Sequence, residues 1–206
     1  MDNIKKIELY RKGILLEYFT VAYNVFEGLI SIGAGLVAGS VALVGFGLDS
    51  FIESISGGVL IWRLKNHSND SEREEKIEQR AIKYVAYSFF ILALYVAYEA
   101  IKKLYFREMP EGSLVGIVIA TLSIIIMPIL ASQKRKVGEK IESRALIADS
   151  RETTACVYLS ITLLLGLLLN YFLGWWWADP VVSLIIVGFL IKEGCELLER
   201  EEDSDV

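Results

Sequence analysis

Six apolar runs of about 20 residues each, separated by short charged clusters, constrain this chain more than any other feature. A helical run of that length matches the hydrocarbon thickness of a bilayer, and a backbone in lipid must satisfy its own hydrogen bonds. The runs are Leu15 to Val37, Ser40 to Trp62, Ile82 to Ile101, Leu114 to Ser132, Ala145 to Leu169 and Ala178 to Leu198. They predict an all-α, polytopic membrane protein, a bundle of six transmembrane helices forming one transmembrane domain over residues 1–206. Little of the chain is left for a separate soluble domain, so function is expected within the helices.

Of the 21 lysines and arginines, all but Lys102, Lys103, Arg107 and Arg151 fall near the chain ends or beside the second and fourth connections. That bias predicts cytoplasmic N- and C-termini and, for a prokaryotic chain, a multi-pass protein of the cell membrane. Trp175, Trp176 and Trp177 with Tyr171 are expected to anchor the outer interface, and Trp62 the inner one. The linkers Lys65 to Arg80, with the single histidine His67, and Gln133 to Arg144 are expected to be solvated helical extensions or loops. The acidic tail after Leu198 is too short to fold alone.

Several function classes fall away. A net charge of −5 with no long basic block gives no support for nucleic-acid binding. Cys156 and Cys195 lie in different runs without CxxC spacing, so neither a disulfide framework nor a zinc knuckle is indicated. The first apolar run is too long for a signal peptide. With no HExxH, no GxSxG and no histidine within the runs, an enzyme is not expected, nor is an organic cofactor. Ser31, Gly35 and Gly39, and likewise Ser50, Ser54 and Gly58, form small-residue ridges suited to close helix approach.

The informative residues are acids inside the apolar runs: Glu27 in the first, Asp49 and Glu53 in the second, Asp149 and Glu152 in the fifth. A charge in the bilayer core is costly unless paired, hydrated or bound to a cation. Arg151 is the one cation expected as an internal partner, a counter-ion for Asp149 or Glu152, and it cannot neutralise five carboxylates. Asp49 and Glu53 are one helical turn apart, as are Glu152 and Cys156. Counted from the inner ends of their runs, Asp49 lies roughly 20 Å deep and Glu53 roughly 14 Å, against roughly 18 Å for Cys156 and 12 Å for Glu152. Two such pairs on facing helices offer a metal three oxygens and one sulfur. Asp149, one turn nearer the cytoplasm, would lie on the access path, and Glu27 with Asn24 would brace the site or hold a proton. Each residue also has a plainer reading. Asp49 and Glu53 could be neutral acids bonded to Asn24 or to serines, Glu152 could pair with Arg151, Glu27 could pair structurally, and Cys156 could be a packed apolar side chain.

At these positions the sequence resembles the cation diffusion facilitator family of divalent-metal exporters. Ser40-Val41-Ala42-Leu43 through Asp49-Ser50-Phe51-Ile52-Glu53 is similar to that family's SxAL and (H/D)SxxD stretch. Ala148-Asp149-Ser150-Arg151-Glu152 through Cys156 to Ser160 is similar to its ADAxHxxxDxxxS pattern, with Glu152 at the His position and Cys156 at the second Asp. Weaker matches are Tyr98 to Lys102 ending the third run and Trp177-Ala178-Asp179-Pro180 opening the sixth.

The resemblance implies six helices, a metal site between the second and fifth, alternating access, and exchange of a cytosolic divalent metal for protons. It implies the metal as substrate: Zn²⁺, Mn²⁺, Co²⁺, Fe²⁺ or Cd²⁺. The missing histidine weakens the case for zinc, oxygens suit harder ions, and a thiolate favours softer ones. The family's cytosolic C-terminal domain is expected to be absent, so a homodimer would form through membrane helices or short loops. Metal ligation needs deprotonated ligands while low dielectric favours neutral acids, so metal and protons compete. A non-transporting membrane protein that binds metal, or a six-span scaffold, is the alternative expectation.

Overall fold

Six helices follow one another in the computed structural model: α1 (Asn3–Ala38), α2 (Val41–Lys65), α3 (Ser71–Phe106), α4 (Leu114–Ile141), α5 (Arg144–Leu173) and α6 (Ala178–Glu202). It describes the backbone of residues 3–65, 71–141 and 143–202, and the side chains of 7–65, 83, 86–141, 143 and 145–199. His67, the tail at 203–206 and the side chains of Arg73, Lys76, Arg80, Arg144 and Arg200 lie outside the described residues. Each apolar run falls within one helix, except for Ser40, which precedes α2, and among the described residues there is no strand. The linker after Ser132 is mostly a continuation of α4.

The helices are apolar outward. The buried face of α1 is Gly13, Glu17, Thr20, Asn24, Glu27, Ser31 and Gly35, spaced three or four apart, while Leu15, Phe19, Phe26, Leu29 and Leu36 are exposed. That is the reverse of a soluble amphipathic helix and suits one whose exterior meets lipid. Ile7–Ala38, Val41–Lys65, Leu114–Ile141 and Ala145–Leu173 are each long and apolar enough to cross a membrane.

Helix α1 packs mainly on α2, α4 on α5, and α3 on α6, with α2 also touching α3, α5 and α6. The α1–α2 approach depends on glycine. A Cβ added at Gly28 would meet Gly47 O at 2.9 Å, and one at Gly47 would meet Gly28 O at 2.9 Å, so each helix lies in the gap the other leaves. Gly35 belongs to the same seam, with Val44 N 2.8 Å from its added Cβ, whereas Gly58 faces open space.

The α1–α2, α3–α4 and α5–α6 connections meet at one end of the bundle. There Asp179, at the start of α6, caps α2: it accepts from Ser40 Oγ and, at 3.0 Å, from Val41 N. Lys103 Nζ donates to Gly39 O, and Gly39 turns the chain with a φ of +63°. Asp179 is buried within the bundle, where it serves the backbone N–H groups at the start of α2 that need an acceptor. Trp175 and Trp177 stack with ring centroids 5.0 Å apart at the same end. At the opposite end Leu60, Leu64, Val137, Ile141 and Leu146 form a separate apolar cluster.

Candidate metal centre

Helix α2 presents Asp49 and Glu53 one turn apart, and α5 brings Cys156 against them. One oxygen from each acid and Cys156 Sγ lie within 4.8 Å of one another. Asp49 is 3% and Cys156 1% exposed, and Glu53 beside them is partly buried. Ligand atoms around a tetrahedral Zn²⁺ stand about 3.3–3.7 Å apart, since the bonds are about 2.0–2.3 Å. The three groups, within 4.8 Å of one another, thus need to close by no more than about 1–1.5 Å around an ion.

Glu152 lies beside this trio, with Oε2 accepting from Ser56 Oγ at 3.2 Å. It lines, with Asp49, Glu53, Cys156 and Glu193, a cavity of about 10 Å³ walled by Phe89, Phe189 and Leu190. That space holds a single water or ion. The structure thus brings three of the four sequence-derived ligands together and leaves Glu152 at their edge.

Asn24 and Glu27 reach the site from α1. Asn24 Nδ2 donates to Glu53 Oε2 at 3.0 Å, and Asn24 is wholly buried. Glu27 accepts from Tyr23 Oη at 3.0 Å and from Ser50 Oγ at 3.1 Å, so it is held between α1 and α2.

Among the described residues, the buried cation paired with Asp149 is Lys134, not Arg151. Lys134 is wholly buried, with Nζ 2.5 Å from Asp149 Oδ2, 3.1 Å from Glu17 Oε2 and 3.4 Å from Thr153 Oγ1. Asp149 is thereby engaged in an ion cluster joining α1, α4 and α5. Arg151 turns to the outside, since α5 buries Asp149, Glu152, Thr153 and Cys156 and residue 151 falls off that face. It lines an outer groove of about 600 Å³ with Arg135, Glu139 and Tyr158.

Lys134, Glu17, Ser56 and Glu193 are the residues the sequence reading passed over. A signal for Lys134 exists: Met127, Leu130, Lys134, Val137 and Ile141 form the buried stripe of α4 at helical spacing. Glu17 likewise continues the polar stripe through Asn24 and Glu27.

Acids on α2 facing a thiol on α5 are groups that can hold a divalent cation. Residues 18–200 match the cation efflux transmembrane domain model. The chain belongs to the cation efflux family.

Proteins similar to this cation efflux family member include an uncharacterized transporter of Methanocaldococcus jannaschii, 28% identical over 179 residues that cover 84% of this chain and 62% of the relative. A cation-efflux pump of Shewanella oneidensis is 22% identical, covering 85% and 64%. A cadmium, cobalt and zinc/H(+)-K(+) antiporter of Bacillus velezensis is 25% identical, covering 89% and 59%. The chain spans about three-fifths of the length of these curated relatives. As a cation efflux domain with several apolar spans, it is a multi-pass integral membrane protein.

Proposed function

We propose that this protein carries divalent metal cations across the membrane, binding one ion at Asp49, Glu53 and Cys156 with Glu152 at the edge of the site. The observation that carries this reading is the convergence of two carboxylates and a thiol within 4.8 Å in the bundle interior. The names of relatives support it, one a cation-efflux pump and one a cadmium, cobalt and zinc antiporter.

The chemistry supplies coupling. Asp49, Glu53, Glu152 and Glu193 line one small cavity, Glu27 is bonded to Ser50 one residue from Asp49, and Lys134 is committed to Glu17 and Asp149. Such acids persist in low dielectric only as neutral groups or around a cation, so an ion entering displaces protons and protons displace the ion. If α2 and α5 open the site alternately to the two sides, a proton gradient drives metal the other way. With cytoplasmic termini the direction is efflux, and residues 1–206 act as one transmembrane unit.

Metal uptake into proteoliposomes with an acidic lumen tests the reading. Saturable uptake of at least one of Zn²⁺, Mn²⁺, Co²⁺, Fe²⁺ or Cd²⁺, lost when the gradient is collapsed and in Glu53→Ala, is the expected result. Folded protein that moves none of the five would favour a membrane metal-binding or scaffold role instead.

A further inference from the structure

The donor set at the centre is short of what a divalent ion takes. Asp49, Glu53 and Cys156 give three ligand atoms within 4.8 Å, whereas structural Zn²⁺ takes four ligands and harder ions take more. The neighbouring helix α1 holds an unused donor. Asn24 is wholly buried, its Nδ2 bonds Glu53 Oε2 at 3.0 Å, and its Oδ1 has no hydrogen-bond partner. A buried amide oxygen without a partner is uncommon and calls for a reason.

We propose that Asn24 Oδ1 is a metal ligand, so that α1 adds a neutral oxygen to the ion held by Asp49, Glu53 and Cys156. This rests on the reading of those three residues as the ion site. The two ends of an amide exchange places on a half-turn of the side chain. After that turn Oδ1 stands where Nδ2 does now, about 3 Å from Glu53 Oε2, the spacing of adjacent oxygens around an ion with bonds of about 2.1 Å. The turn costs the single hydrogen bond that Nδ2 makes and none from Oδ1, which makes none. In the ion-free state Nδ2 faces the acid. With the ion bound, Oδ1 faces the ion, and Glu53 exchanges an amide donor for a metal. The completed set is three oxygens and one sulfur, and its extra oxygen favours harder ions.

Equilibrium binding of Mn²⁺, Zn²⁺ and Cd²⁺ to the full chain in detergent tests this, with wild type beside Asn24→Leu, Asn24→Asp and Glu53→Ala. Losing an oxygen ligand should weaken Mn²⁺ by about tenfold or more in Asn24→Leu and Cd²⁺ distinctly less. Asn24→Asp keeps an oxygen and removes the N–H donor, and it should bind Mn²⁺ at least as well as wild type. Were Asn24 only bracing Glu53 through Nδ2, both substitutions would weaken all three metals by a common factor, which would overturn the proposal. If Asn24→Leu fails to fold, Asn24→Asp decides alone: retained Mn²⁺ binding supports ligation and lost binding overturns it. Glu53→Ala separates the two levels. Undiminished binding there would remove the site itself, whereas lost binding there with no selectivity change in Asn24→Leu would remove only the Asn24 assignment.

Discussion

Lys134 Nζ and Asp149 Oδ2 meet at 2.5 Å in the interior of the bundle, joining α4 to α5 one turn away from Glu152. Glu17 completes the cluster from α1 at 3.1 Å. Removing one partner of a buried ion pair leaves an uncompensated charge, which costs more than the pair contributed. Lys134→Met is therefore expected to destabilise the protein by about 3–5 kcal/mol, read as a lowered thermal transition in detergent. Lys134→Met with Asp149→Leu and Glu17→Leu should recover much of that loss. Arg151→Ala, on the outer face, should leave the transition where it is.

Asp179 should matter for stability and not for metal affinity. It supplies both oxygens to the start of α2, and loss of such a cap costs about 1–2 kcal/mol. Asp179→Ala is expected to lower the thermal transition accordingly while metal titration of the folded fraction is unchanged.

The α1–α2 seam gives a contrast between two glycines. Gly47→Ala puts a methyl 2.9 Å from the backbone oxygen of Gly28, so the helices must part, at a cost of about 1–3 kcal/mol. Gly58→Ala meets nothing within 4 Å and should stabilise α2 by about 0.5–1 kcal/mol through helix propensity. Thermal melts of the two variants side by side check the sign of each.

How much of this was legible beforehand depends on whether a residue acts along its own helix or across to another. Asp49 and Glu53, and Glu152 and Cys156, are pairs within single helices, and periodicity alone puts each on one face. Depth counting then brought α2 and α5 into register closely enough to foresee Cys156 beside the two acids. The count was less able to place Glu152, which meets Ser56, because helix crossing sets the last few ångströms. Lys134 was hidden for another reason. Counting basic residues by side treats every lysine near a helix end as solvated, and only the burial of the α4 stripe between α1 and α5 reveals this one as a core cation. The roles of Glu193 and Asp179 also lie across helices: Glu193 lines the small cavity with Asp49 and Glu53 of α2, and Asp179 caps the start of α2.

Metal affinity should rise with pH. The bound state needs deprotonated Asp49, Glu53 and Cys156, so each proton released on binding adds up to about tenfold in affinity per pH unit. The slope of log affinity against pH in a series of titrations counts the protons displaced, and a slope of zero would mean that ion and protons do not compete.

The most direct check on the metal centre is X-ray absorption at the metal edge of Cd²⁺- or Zn²⁺-loaded protein, wild type beside Cys156→Ala. One sulfur with oxygens in the first coordination sphere of wild type, and no sulfur in the variant, is the expected result. A wild-type site without sulfur, or a sulfur that survives Cys156→Ala, would contradict a centre built from Asp49, Glu53 and Cys156.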